Sequence, residues 1–151
     1  MIQQTTTQSM VEEITYNGQV LAIVLPYEFR QPGIHFFTPD SYSQQLAYMR
    51  HPEGKVIKPH IHRQVRREVF FTQEVLLIKR GKLRVDFYND HRDYLESRVL
   101  KAGDVILLIK GGHGFEVLEE LEMIEVKQGP YVGDNDKVRF SGIDGSQADI
   151  K

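Results

Sequence analysis

Residues 82–88 alternate between apolar and polar side chains, and this alternation constrains the fold more than any other feature of the sequence. Successive side chains of a β-strand point to opposite faces, so Leu83, Val85 and Phe87 would share one face. Short apolar runs recur roughly every eight to twelve residues between glycine-containing turns, which predicts an all-β barrel or sandwich. We expect strands over residues 19–25, 46–50, 56–63, 69–79, 82–88, 95–100, 105–109, 115–118 and 123–127.

The length and composition suit one globular domain. The chain has 151 residues, of which 40% are hydrophobic, enough to form a sizeable core. Residues 1–10 and 141–151 are small and polar, and they offer little apolar surface to offset the entropy of ordering. The sequence therefore predicts a single domain over residues 11–140 that begins with a strand extension, and mobile tails at both ends.

Charge and cysteine content exclude several classes of function. The net charge of −2 argues against a nucleic-acid partner, which needs a basic surface. Cysteine is absent, so any metal must be bound through nitrogen and oxygen. The first residues do not resemble a signal peptide, and no apolar run has the length of a membrane helix. We therefore expect a cytoplasmic protein without a membrane partner.

Two histidines separated by one residue are the first sign of a metal site. On a strand, His60 and His62 would point the same way. Imidazole and carboxylate groups are common ligands of Zn, Mn, Fe and Ni. The alternative is an exposed edge strand that carries two solvated imidazoles.

The spacing around these histidines resembles the first motif of the cupin superfamily. Gly54 is followed by five residues and then His60-Ile61-His62, and Glu74 is followed by six residues and then Gly81. Eleven residues separate His62 from Glu74, a longer gap than is usual in the family and one that resembles an extended hairpin. Glu68 also lies in this gap, but Glu74 has the spacing to Gly81 that the motif requires.

A second stretch is similar to the second cupin motif. Gly103, the run DVILL and Gly111 reproduce its frame, and His113 follows one residue earlier than usual. Ile109 replaces the usual proline, and Val117 stands where asparagine is common. The resemblance covers residues 46–128. It implies a double-stranded β-helix, or jelly-roll, cupin barrel that holds one divalent transition metal through His60, His62, Glu74 and His113.

Strand phase supports this interpretation. A strand that turns Glu74 inward also turns Leu76 and Ile78 inward, and a strand that turns His113 inward does the same for Phe115 and Val117. Polar groups on apolar faces are costly unless they are satisfied, and a bound metal would satisfy Glu74 and His113 together.

Three further side chains are candidates for substrate binding. Arg66 and Arg67 lie in the long gap, where arginine side chains could bind a carboxylate or phosphate. Solvated charges on a hairpin are the alternative explanation. Glu125 reaches the cavity if it faces inward together with Met123.

The cupin resemblance leaves the function open. It implies a protein that binds or acts on a small oxygen-rich molecule, a sugar derivative or an organic acid, as a metal-dependent oxygenase, isomerase or decarboxylase. The alternatives are a non-catalytic carbohydrate-binding module and a metal-free sugar epimerase in which a histidine is the base. We also expect a homodimer, because Val75 and Leu77 are apolar on the face opposite Glu74, and the strand at 19–25 could cover a neighbour. The alternative is that another part of the same chain covers this apolar face.

Overall fold

The fold is described by a computed structural model for residues 10–151. Its regular elements are eight β-strands and two short 3-10 helices. The strands are β1 (Glu12–Tyr16), β2 (Gln19–Leu25), β3 (Gly33–Phe36), β4 (Ala47–Arg50), β5 (Glu74–Tyr88), β6 (Tyr94–Lys101), β7 (Val105–Leu108) and β8 (Gly112–Lys127); the 3-10 helices are Gly133–Asp136 and Gly145–Gln147. The prediction of an all-β protein is confirmed. The predicted N-terminal tail lies almost entirely outside the described residues.

The long strand β5 organises the main sheet. Its first residues pair with β7, its later residues pair with β6, and β8 runs antiparallel along its whole length. β2 and β1 extend the sheet beyond β7, so that the order is β1-β2-β7-β5-β6 with β8 joined to β5. The sheet curls into a half-barrel, and β3 and β4 form a separate two-stranded sheet.

The concave face of the curled sheet carries the main core. Leu83, Val85 and Phe87 are fully buried there, as their alternation predicts. Ile106 of β7 and Ile14 of β1 pack in the same cluster and are also inaccessible to solvent. Burial of apolar side chains of this size is the main source of stability in such a domain.

The face of β5 that carries Arg84 and Asp86 is buried too, which the alternation alone does not indicate. Part of its cover comes from residues 145–151, part of the predicted C-terminal tail. The backbone N–H of Ser97 donates to the carbonyl of Asp149 at 2.8 Å, and the N–H of Lys151 donates to the carbonyl of Ser97 at 3.1 Å. The end of the chain is thus hydrogen-bonded along β6.

The strand boundaries differ from the predictions in several places, and β1 and β3 were not among the predicted strands. Residues 56–63 form no strand, and the strand predicted at 69–79 begins only at Glu74. A strand needs a hydrogen-bonded neighbour, and residues 52–72 have none in the described chain. Conversely, the runs predicted at 115–118 and 123–127 are one strand, because pairing with β5 continues across irregular register through the glutamate-rich stretch between them.

The apolar face behind Glu74 is covered from within the chain. β2 pairs with β7, and Val75 packs against a cluster formed by Ile23, Leu107 and Ile109. Phe37, Tyr42 and Leu46 complete this cover. The apolar character of this face therefore does not require a second copy. The homodimer stays a prediction, but this face no longer supports it.

Within residues 10–151, helices are too short and too polar to cross a membrane.

Candidate functional site

The site is built around Glu74 and His113, which meet on the concave face of the half-barrel. Nε2 of His113 lies 3.3 Å from Oε2 of Glu74. Glu74 is the first residue of β5, whereas His113 sits opposite Phe87 near the other end of that strand. Glu74 shares its face of β5 with the buried Leu76 and Ile78, as strand phase predicts. His113 lies opposite the buried Phe87, but its predicted companions Phe115 and Val117 are exposed.

The local conformation of the chain positions the side chains of Glu74 and His113. Glu74 follows Gln73, whose backbone N–H donates to the side chain of Gln128 at 2.8 Å. His113 follows a turn in which Gly111 has a φ of +75°, and a Cβ added there would lie 2.6 Å from the carbonyl oxygen of Tyr88. Glycine is the residue that accepts this conformation and this close approach, so the turn before His113 depends on it.

The electrostatic environment keeps Glu74 ionised. The hydrogen bond with His113 is the main cause of a pKa for Glu74 below its ordinary value, and the ammonium group of Lys127 acts in the same direction. Partial burial opposes this by raising the pKa of Glu74. The Nζ atom of Lys127 lies 3.9 Å from Oε1 of Glu74 and 2.8 Å from Oε1 of Glu125.

The pair opens into a cleft of about 740 Å³. One wall consists of the start of β8, including the ring of Phe115, whose centroid lies 5.3 Å from that of His113. The chain after β8 also lines the cleft and contributes Lys137 and Arg139. A cleft of this size, lined by charged side chains of both signs, suits a small polar molecule.

Arg84 and Asp86 also border the cleft, and sequence reasoning assigned them no role. Both side chains are almost fully buried; Nε of Arg84 donates to Asp86 at 2.8 Å, and a terminal nitrogen donates to the other carboxylate oxygen at 3.0 Å. Arg84 also pairs with Glu116, and the hydroxyl of Ser97 donates to Asp86 at 2.5 Å. The sequence feature that could have indicated their role is a pair of charged residues on a strand whose other face is wholly apolar.

His60 and His62 lie elsewhere. Both are exposed in the irregular segment between β4 and β5, with ring centroids 5.2 Å apart and Nδ1 of His60 3.1 Å from the carbonyl oxygen of Lys58. Within residues 10–151, no three histidine or acidic side chains converge as a metal site would require. The described chain thus brings together two of the four predicted ligands, and the four-ligand site stays a prediction.

Of the three predicted substrate-binding residues, two lie in the exposed segment and one lies on β8. Arg66 and Arg67 belong to the exposed segment, where Arg66 pairs with Glu68 at 3.2 Å. Glu125 lies opposite Leu76 in the β5–β8 register and therefore on the same face, although its side chain is exposed and bound to Lys127.

Comparison of the chain with protein-family models, with curated proteins and with solved structures gave no match.

Proposed function

We propose that this protein is a metal-binding jelly-roll protein of the cupin type, whose cleft binds or acts on a small oxygen-rich molecule such as a sugar derivative or an organic acid. The observation that carries the proposal is the contact between Glu74 and His113 on the concave face, at the mouth of the cleft. The half-barrel would be the larger part of the jelly roll.

The two side chains fit a divalent transition metal. They supply one carboxylate and one imidazole, the ligand types that Zn, Mn, Fe and Ni accept, and the lowered pKa of Glu74 favours the deprotonated form that binds a cation. His60 and His62 are the remaining proposed ligands. When bound, the metal would polarise a carbonyl or enolate oxygen of the ligand.

The other residues of the cleft would orient the ligand. Lys137 and Arg139 contribute positive charge to the lining and would favour an anionic group such as a carboxylate, and Arg139 also contacts Asp134 at 3.4 Å. Phe115 supplies an apolar surface beside His113, against which a ring or a carbon chain can pack. Arg84 is held by Asp86 and Glu116, so its role would be to shape the wall.

A metal-free function is the second candidate, and a specific observation favours it. Glu74 and His113 form a carboxylate–imidazole pair, and the described chain adds no third ligand to them. Such a pair can transfer a proton, with the carboxylate orienting the imidazole that acts as the base. The sugar epimerase alternative would work in this way.

Metal analysis of the purified protein separates the two candidates. We expect about one divalent metal ion per wild-type chain, with most of it lost in Glu74→Gln and in His113→Ala because each removes a ligand. His91→Ala is the matched control, since His91 is exposed on the β5–β6 turn and should leave the metal content unchanged. A wild-type protein that binds no metal even after incubation with each ion would refute the metal proposal and favour the proton-transfer pair.

A further inference from the structure

The segment between β4 and β5 is unusual for a compact domain. Every residue from Pro52 to Thr72 is exposed, and we call residues 52–72 the arm. Among the described residues, the one backbone–backbone hydrogen bond within the arm joins the N–H of Lys55 to the carbonyl of Pro52. Irregular loops of this length are uncommon in compact domains, and those that occur are usually functional loops or flexible linkers.

The arm also exposes many apolar side chains. Ile61 is 94% exposed and Phe70 is 85% exposed, and Val56, Ile57, Val65 and Phe71 are exposed as well. Apolar surface concentrated in one extended segment marks a region that a binding partner covers.

The outer edge of β8 is the complementary feature. Among the described residues, the sixteen-residue strand β8 pairs with β5 alone, so its second edge has free N–H and C=O groups. Phe115 and Val117 lie on the concave face opposite Val85 and Leu83; those two β5 residues are fully buried, yet Phe115 is 41% and Val117 56% exposed. The half-barrel is therefore open at β8, and a long unpaired strand edge with exposed apolar side chains can pair with a strand of another chain.

Charge matches the arm to this edge. The arm carries five lysine and arginine residues against two glutamates, whereas β8 carries five glutamates against one lysine. Four of the five glutamates already have ion pairs, three with β5, as Glu119 has with Lys82 at 2.7 Å, and one with Lys127. Glu122 has no ion pair within residues 10–151 and is the glutamate left for the arm to neutralise. An added strand with the charge of the arm would be attracted to β8.

We propose that the arm of each chain pairs with the outer edge of β8 in a second copy, and that this exchange brings His60 and His62 of one copy to Glu74 and His113 of the other. The second half of this proposal rests on the proposed metal-binding function. The exchange is reciprocal, so two chains form a closed dimer with two equivalent sites.

The position of the arm in the fold favours a second copy as the occupant. The arm leaves the domain after β4 and returns at Glu74 itself, so its base lies at the mouth of the cleft, where Phe71 lines the wall and the hydroxyl of Thr72 bonds to Asp136. Val69 and Phe70, next to this base, line clefts of their own domain, whereas the apolar side chains from Val56 to Val65 are exposed. In a two-fold dimer each arm that leaves one cleft can reach the matching cleft of the partner.

Cross-linking between two differently tagged chains tests the exchange without reference to metal. The chain has no cysteine, so Ile61→Cys in one chain and Val117→Cys in the other introduce one thiol each. We expect a disulfide-linked species of twice the 17.5 kDa chain mass that contains both tags, with Phe115→Cys as a second acceptor on the same face of β8. Ile34→Cys, at an exposed position on β3, replaces the β8 thiol in the control and should give no such product.

Pairing of the arm with β8 of its own chain would give a different result in this experiment. A chain that carries both Ile61→Cys and Val117→Cys and forms only an internal disulfide, with no product between chains, would overturn the exchange. So would a monomer mass for the wild type by light scattering at micromolar concentration.

Complementation tests the shared site. One chain carries His60→Ala and His62→Ala, the other carries Glu74→Gln and His113→Ala, and each alone should bind little metal. Mixing after partial unfolding and refolding should restore metal, because one of the two sites in each mixed dimer then has all four ligands. Cross-linking of the Ile61→Cys and Val117→Cys chains, together with a wild type that binds no metal, would keep the exchange and refute the metal proposal. A wild type that binds metal, with no restoration in mixed dimers whose chains also carry Ile61→Cys and Val117→Cys and are cross-linked, would refute the shared site.

Discussion

Nε2 of His113 and Oε2 of Glu74 lie 3.3 Å apart, although His113 is aligned with Phe87, near the opposite end of β5 from Glu74. A straight strand would separate positions 74 and 87 by roughly 40 Å, at about 3.3 Å per residue. The contact therefore depends on the bend in β5. Register shifts in the β5–β8 pairing cluster between Ile78 and Leu83, and Gly81 lies within them at a φ of +86°.

We predict that Gly81→Ala is more damaging than Gly54→Ala. Both glycines have positive φ, which costs an alanine about 1 kcal/mol. A Cβ at position 81 would also lie 2.0 Å from the backbone oxygen of Glu120, whereas one at position 54 would meet nothing within 4 Å. Urea unfolding should therefore show a loss well above about 1 kcal/mol for Gly81→Ala alone. Equal losses in the two variants would contradict the bend.

We predict that Glu74 makes the metal-free protein acid-sensitive. Its pKa in the folded state is lowered, so its contribution to stability is present above the ordinary value of 4.5 and is lost as the pH falls through the folded value. The difference in unfolding free energy between wild type and Glu74→Gln should thus shrink on acidification below pH 4.5. His113→Ala should weaken this dependence, because it removes the main cause of the shift. A difference that does not vary with pH would count against the contact.

The buried ion pair should be costly to break. Asp86→Asn removes the buried one of the two carboxylates that pair with the almost fully buried Arg84, and we expect a loss of about 3 kcal/mol or more in unfolding free energy. Glu68→Gln breaks the exposed pair with Arg66 and should cost less than about 1 kcal/mol. Similar losses in the two variants would show that other groups stabilise the buried charge of Arg84.

Two matched isoleucine substitutions test the position of the core. Ile106 is fully buried on β7, and Ile106→Ala should cost about 2–5 kcal/mol through lost burial and a cavity. Ile34 on β3 is 53% exposed, so Ile34→Ala should cost much less. Chemical unfolding of both variants against wild type measures the contrast, and the opposite order would place the core elsewhere.

The sequence by itself determined the class of the fold and, within a strand, which side chains share a face. The two-residue period of a strand is a local property, so the alternation over residues 82–88 predicts the burial of Leu83, Val85 and Phe87, and the inward phase of Glu74 follows in the same way. It also singled out Glu74 and His113, which the fold places side by side.

The tertiary structure decided which segments find partners. Residues 56–63 have the composition of a strand but no neighbour in the described chain, and the glutamate-rich middle of β8 is a strand because β5 lies beside it. The bend at Gly81 and the burial of Arg84 and Asp86 depend in the same way on residues distant in sequence. Hydrogen bonds between strands and burial on both faces of a sheet are pairwise properties of the folded chain, and local periodicity contains no information about the partner.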